Sequence, residues 1–190
     1  SFYPDKIMAS SDGGIVVTND KKIFEKLLLL RNVGRKNIGK YDYTEIGYNY
    51  RMNEIQAILA QEQLKLLPKM LKRRREIANI YNNELKDIPN LHCQKIVKNV
   101  NSAYYSFVMK LTKGNLKKFR KTLKENGIET SPMFTTIYKT KIYQKLSIFS
   151  NNCPISEILD DQTFTIPLHV GITNTEINYI IKTIKKILDL

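Results

Sequence analysis

Long apolar runs are missing from this sequence. None approaches the ~20 residues that a membrane-spanning helix needs, so no membrane crossing is expected. Cysteine is nearly absent: Cys93 and Cys153 stand alone, which argues against a disulfide framework and reads as reduced thiols in a cytoplasmic protein. Histidine is as scarce. His92 and His169 fall at no metal-ligand spacing with those cysteines, and the adjacency of His92 and Cys93 does not by itself make a site, so no metal is expected. The opening lacks the basic and apolar regions of a secretory leader, and it lacks an initiator methionine. It begins inside a patterned element, which reads as a fragment of a longer protein. Internal repeats and low-complexity tracts are absent too. Negative charge is in deficit: 18 Asp plus Glu stand against 31 Lys plus Arg, a net charge of +13. That balance suits phosphate-bearing partners such as nucleic acid, nucleotides or phosphorylated cofactors. A coding bias toward Lys, Asn and Ile accounts for it equally well.

What is present is a chain of 190 residues, 42% of them hydrophobic, enough for one sizeable domain or two small ones. Residues 2–8 and 14–18 are short β-like runs separated by the turn signal Asp12-Gly13-Gly14. Residues 20–33 keep helical spacing through Ile23, Leu27 and Leu30. The polar, glycine-bounded stretch from Gly34 to Gly47 reads as a mobile loop. A helix is expected from Asn53, which can cap it with Gln56 three residues on; Ile55, Ile58, Leu59, Leu66 and Leu67 share a face. Pro68 is expected to end this helix or to open the next, whose stripe is Leu71, Ala78, Tyr81, Leu85 and Ile88, with Arg73, Arg74 and Arg75 mainly off it. After Pro89, Tyr105, Phe107, Met109 and Leu111 alternate as in a strand. A helix through Leu116, Phe119 and Leu123 follows, closed by Gly127. "IETSPMF" reads as a further strand. Thr173 and Glu176 form a capping box for a last helix with Ile177, Ile180, Ile181, Ile184, Ile187 and Leu188 in line.

Five blocks occur in a telling order: "SFYPDK", a turn ending in "DGG", "IVVTND", "LLLLRNVGR" and "GYNYRMNEIQAILAQEQL". Together they resemble the DegT/DnrJ/StrS family of pyridoxal-phosphate (PLP) sugar aminotransferases, which have the aspartate-aminotransferase fold. "SAYYSFVMKL", "GIET" and "TIPLHVGITNTEI" continue the resemblance. It implies an α/β chain, the C-terminal half of a PLP-dependent transferase fold. Residues 1–50 would be the end of the large domain and a mobile loop, 51–89 connecting helices, and 90–190 a small C-terminal α/β domain.

The resemblance also assigns roles. Lys6 takes the position of the lysine that carries pyridoxal 5'-phosphate as a Schiff base. That chemistry needs an amine that can lose its proton near neutral pH, which desolvation or a cationic neighbour promotes. From composition alone Lys6 is one solvated lysine among many. Ser1, five residues earlier, matches a serine that bonds the cofactor phosphate, a sensible task for a hydroxyl donor. Asn49 matches the asparagine that reaches the phosphate of the neighbouring subunit's cofactor, implying a homodimer with shared active sites. The alternative is that Asn49 only shapes the turn before the next helix. Arg51 is a candidate for substrate binding, pairing with a carboxylate or phosphate, or else it braces the loop; Tyr138 is a further substrate-binding candidate. Departures from the family pattern fall at "ASSDGG", where TTGEGG is common, at Val33 in "LRNVG", where histidine is common, and at "PMFTTIY" near the sugar. They leave the sugar open, not the fold.

The function implied is transfer of an amino group, with glutamate as the implied donor, to a nucleotide-linked keto-sugar in surface-polysaccharide or amino-sugar biosynthesis in the cytoplasm. The ring-stacking aromatic and the aspartate at the pyridinium nitrogen belong to a part of the family fold outside this chain. Two other readings remain: a catalytically inactive fragment, and a basic nucleic-acid-binding regulator built on "LKLLPKMLKRRRE". No nucleic-acid-binding motif accompanies that basic run, so nucleic acid is not the expected partner.

Overall fold

The computed structural model describes residues 1–36, 41–146 and 153–189. The chain divides into two compact units, Ser1–Lys69 and Met70–Leu190.

In the first unit the expected opening strands are not formed. Tyr3-Pro4-Asp5-Lys6 is a turn, with the Lys6 N–H donating to the Tyr3 carbonyl at 3.0 Å. Proline presets the turn's second position and aspartate suits its third, and this chemistry prevails over the apolar flanks. The residues around it close on themselves: Phe2 N–H donates to Gly13 O and Ser10 N–H to Phe2 O, both at 2.9 Å. Residues 14–17 form no strand, and Ile15 and Val17 are 69% and 83% exposed. A strand needs a paired neighbour, and pattern alone does not supply one.

Helix α1 spans Lys21–Arg31. Its N-cap is Asp20, whose Oδ1 accepts from Lys22 N–H at 2.7 Å and Ile23 N–H at 3.1 Å. Helix α2 spans Glu54–Leu85 and opens as expected, with Asn53 and Gln56 exchanging side-chain and backbone hydrogen bonds. The expected break at Pro68 does not occur: proline lies inside one helix of 32 residues, ~48 Å long. An interior proline costs about 3 kcal/mol. Strong helix formers on both sides and the buried stripe of Ile77, Ala78, Tyr81 and Leu85 outweigh that single defect.

The second unit is built on a three-stranded antiparallel sheet in the order β1–β2–β3: β1 Leu91–Cys93, β2 Phe107–Leu111 and β3 Thr163–Ile166. Phe107, Met109 and Leu111 alternate inward as the pattern predicts. The segment 128–134 forms only a single bridge, Ser131 to Thr165, rather than a strand. Helices α3 (Leu116–Glu125), α4 (Lys141–Leu146), α5 (Pro154–Gln162) and α6 (Asn174–Ile187) complete the unit. The Thr173–Glu176 capping box is present, and Gly127 takes the left-handed conformation (φ +74°) that follows α3. Core packing joins Tyr81 to Phe107 (ring centroids 5.1 Å apart) and Phe119 to Phe164 (5.5 Å).

The arginine run departs from expectation. Arg74 is buried, and its Nη1 donates to the carbonyls of Tyr104, Tyr105 and Leu168 at 3.0, 3.2 and 3.1 Å. Burial lowers its pKa. Arg73 donates to Ile172 O and Arg75 to Ser102 O. These guanidinium groups tie loops to α2, a use that helical spacing does not reveal.

Candidate active site

Ser1, Lys6, Asn49 and Arg51 fall in the first unit; Tyr138 falls in the second. Ser1 and Lys6 are joined through Tyr3. The Tyr3 N–H donates to Ser1 Oγ at 3.3 Å, and the Tyr3 carbonyl accepts from Lys6 N–H. The turn therefore sets hydroxyl and amine on one short frame. The Lys6 side chain is 37% exposed, with Nζ 3.3 Å from Asp5 Oδ1. The "DGG" segment closes the frame, since Ser10 Oγ donates to Asp12 O and Gly13 N–H to Asp12 Oδ1.

Asn49 stands on a second frame. Tyr48 N–H donates to Leu30 O, Val33 N–H to Tyr48 O and Tyr50 N–H to Arg31 O, at 2.8–2.9 Å. Residues 48–50 thus run antiparallel to the end of α1, and Asn49 bridges Asn32. Two glycines make the approach possible. A Cβ at Gly34 (φ +77°) would lie 1.7 Å from Glu45 O, and one at Gly47 would lie 2.5 Å from Gly34 N and 2.7 Å from Leu30 O. The ends of the segment expected to be a mobile loop are therefore pinned, with further bonds from Thr44 and Glu45 N–H to Gly34 O and an ion pair between Lys26 and Glu45. Its centre, residues 37–40, lies outside the described residues. The two frames meet at Met52, whose Cε would be 3.0 Å from a Cβ at Gly13.

Arg51 Nη1 donates to Asn32 Oδ1 at 2.8 Å, the bracing contact anticipated as one of its two readings. Asn32 is the residue that sequence reasoning passed over. It stood inside "LRNVG" only as part of a motif, and its place at the C-cap of α1 was the available signal.

Tyr138 sits in a 3₁₀ turn, Ile137–Lys139, and its hydroxyl donates to Glu157 of α5. Lys139 Nζ approaches the other carboxylate oxygen at 3.4 Å. The Tyr138 hydroxyl, with Lys139, holds the Glu157 carboxyl below the usual carboxylate range, and the same bond pushes the Tyr138 phenol up. A separate cavity of about 500 Å³ in this unit, with a floor of Ile128, Ile166, Ile172 and Ile180, contains none of the expected site residues. Among the described residues no group of His, Cys, Asp or Glu is arranged to hold a metal, and no helix is long and apolar enough to cross a membrane.

The chain is similar to known sugar aminotransferases. A Helicobacter pylori UDP-4-amino-4,6-dideoxy-N-acetyl-beta-L-altrosamine transaminase is 30% identical over 193 residues, covering 98% of this chain and 51% of the relative. GDP-perosamine synthase of Escherichia coli O157:H7 is 29% identical over 187 residues, covering 98% and 50%. Among solved structures, Helicobacter pylori PseC, an aminotransferase involved in the biosynthesis of pseudoaminic acid, matches all of this chain and 52% of its own with a TM-score of 0.86 at 26% identity. Sugar aminotransferase CalS13 from Micromonospora echinospora matches 95% of this chain and 49% of its own, with a TM-score of 0.85 at 25% identity. The chain spans about half the length of the curated relatives it matches and forms about half of an aminotransferase fold. The pattern of one aminotransferase family is matched from residue 1 to residue 185, and the chain belongs to that family, DegT/DnrJ/EryC1/StrS.

Proposed function

We propose that this chain is the C-terminal half of a PLP-dependent aminotransferase that moves an amino group from an amino-acid donor, glutamate, to a nucleotide-linked keto-sugar. In this reading residues 1–50 end the PLP-binding large domain, 51–89 connect, and 90–190 form the small domain. The enzyme works in the cytoplasm, in amino-sugar or surface-polysaccharide biosynthesis, as a homodimer with shared active sites. The substrate class rests on relatives whose names carry GDP- and UDP-linked sugars.

The observation that carries the reading is the turn at Tyr3–Lys6, which sets an amine and a hydroxyl on one closed frame. The donor set suits a phosphate-bearing aldehyde: one amine (Lys6), one hydroxyl (Ser1) and one exposed amide (Asn49). When bound, PLP supplies the electron sink for bond-making and bond-breaking at the donor's α-carbon. Lys6 would hold the cofactor through Nζ, and the same amine could move a proton as base and acid. The Ser1 hydroxyl would donate to the phosphate, and Asn49 would hold the phosphate of the partner subunit's cofactor. Arg51, whose guanidinium donates to Asn32, and Tyr138, whose hydroxyl donates to Glu157, would be the candidates for contacting substrate. The basic run is a poor nucleic-acid surface, because Arg73, Arg74 and Arg75 are spent on backbone carbonyls.

Borohydride reduction of the full-length protein with PLP, followed by peptide mapping, tests the assignment. The added mass is expected on the peptide containing Lys6. Labelling at another lysine, with Lys6 unmodified, overturns it.

A further inference from the structure

We infer that Asn32 is a positioning residue for Asn49: it fixes the place of the Asn49 amide without itself touching a ligand. The inference rests on the reading of Asn49 as a phosphate-binding group and extends it to a residue that has no assigned role. Helix α1 ends at Arg31, and its last carbonyls need partners. They find them in the 48–50 segment, through Tyr48 N–H on Leu30 O and Tyr50 N–H on Arg31 O. Those backbone bonds set Asn49 opposite Asn32. Backbone pairing across so short a stretch specifies register weakly. The Asn32 side chain supplies the missing constraint.

Asn32 is 8% exposed, whereas Asn49 is exposed. Its Oδ1 accepts from Arg51 Nη1 at 2.8 Å, and its Nδ2 donates to Arg35 O at 3.0 Å. The two partners fix the amide's orientation, because a guanidinium only donates and a carbonyl only accepts. Arg51 lies two residues beyond Asn49 and Arg35 three beyond Asn32. One buried amide therefore clamps both sides of the bridge at once. Aspartate would keep the Arg51 contact but set a second acceptor against the Arg35 carbonyl. Leucine would remove both of these bonds.

The test compares PLP with pyridoxal, which lacks the phosphate, by measuring binding to the full-length apoenzyme with Asn32→Leu, Asn49→Ala and the double variant. Asn32→Leu is expected to weaken PLP about tenfold while leaving pyridoxal nearly unchanged. The double variant is expected to be no worse than Asn49→Ala alone, as for two residues acting through one contact. Equal loss of PLP and pyridoxal would mark Asn32 as merely structural and overturn the inference; so would additive losses, or no loss from Asn32→Leu when Asn49→Ala loses phosphate selectivity. If Asn49→Ala itself leaves the PLP-to-pyridoxal ratio unchanged, the phosphate reading of Asn49 fails and the inference falls with it, a distinct result. Should Asn32→Leu not fold, Asn32→Asp carries the same comparison, and an unchanged ratio in that variant overturns the inference.

Discussion

The first unit, residues 1–69, buries little besides Phe2 and the polar side chains of Ser10 and Asn32, whereas the second gathers every member of the buried apolar cluster from Ile77 to Ile184. The first unit is held by turns, caps and a side-chain clamp, and it leaves Ile15, Val16, Val17, Ile55 and Ile58 facing outward. The second is held by apolar burial around an antiparallel sheet. The contrast teaches a division of labour. Hydrogen-bonded frames place the amine, hydroxyl and amide of the candidate site at defined positions, which a non-directional apolar core cannot do. Within the second unit, burial supplies the stability.

The strongest challenge to this division is Lys6→Ala in the proposed full-length aminotransferase. It should abolish transamination while leaving the thermal unfolding midpoint within a few degrees of the parent. An equally large fall in midpoint would place Lys6 among the stabilising residues and erase the contrast. The converse change is Leu123→Ala, at a fully buried site, expected to cost ~2–5 kcal/mol in urea unfolding. Its counterpart in the first unit, Ile58→Ala, should change the stability of the 190-residue chain by no more than ~0.5 kcal/mol, because Ile58 is exposed. A larger cost for Ile58→Ala in the full-length enzyme than in the 190-residue chain would show that its face is covered there. Between these lies Arg74→Met, which removes the three hydrogen bonds of its Nη1 to backbone carbonyls and is expected to cost about 3 kcal/mol. A neutral result would assign the second unit's stability to apolar contacts alone. A smaller effect than that of Arg74, and of opposite sign, belongs to Val33. This β-branched residue sits at φ +53°, a conformation that costs L-residues roughly 1–2 kcal/mol. Val33→Gly should raise stability by up to ~1 kcal/mol in differential scanning calorimetry; destabilisation would show that side-chain packing outweighs the backbone strain.

The second unit was far more legible in the sequence than the first. Alternation in β2 and the isoleucine stripe of α6 report burial directly, since one element faces one core. Capping residues Asn53 and Thr173 were readable because their chemistry is local. The apolar pattern suggests opening strands where Tyr3-Pro4-Asp5-Lys6 is a turn, although proline and aspartate at the central positions signal the turn. Pro68 was weighed as a breaker because a local rule does not register the stripe beyond it. Arg74 and Asn32 were invisible for a shared reason. Each bonds at least one partner distant in sequence, and no periodicity encodes which group a buried guanidinium or amide will meet. The motif resemblance located Lys6 and Asn49, but only the structure shows the frames that hold them.

The arginine contacts also bear on how this sequence can drift. Lysine greatly outnumbers arginine here, and a coding bias toward lysine is one source of the positive charge. Yet Arg51, Arg73, Arg74, Arg75 and Arg120 each give a guanidinium N–H to a named oxygen, and Arg74 reaches three. An ammonium carries the same charge without the planar fork. Mutational pressure from arginine codons toward lysine codons would therefore pass unopposed over most of the surface and meet purifying selection at these positions, so that the surviving arginines act as a record of where geometry, rather than charge, is required.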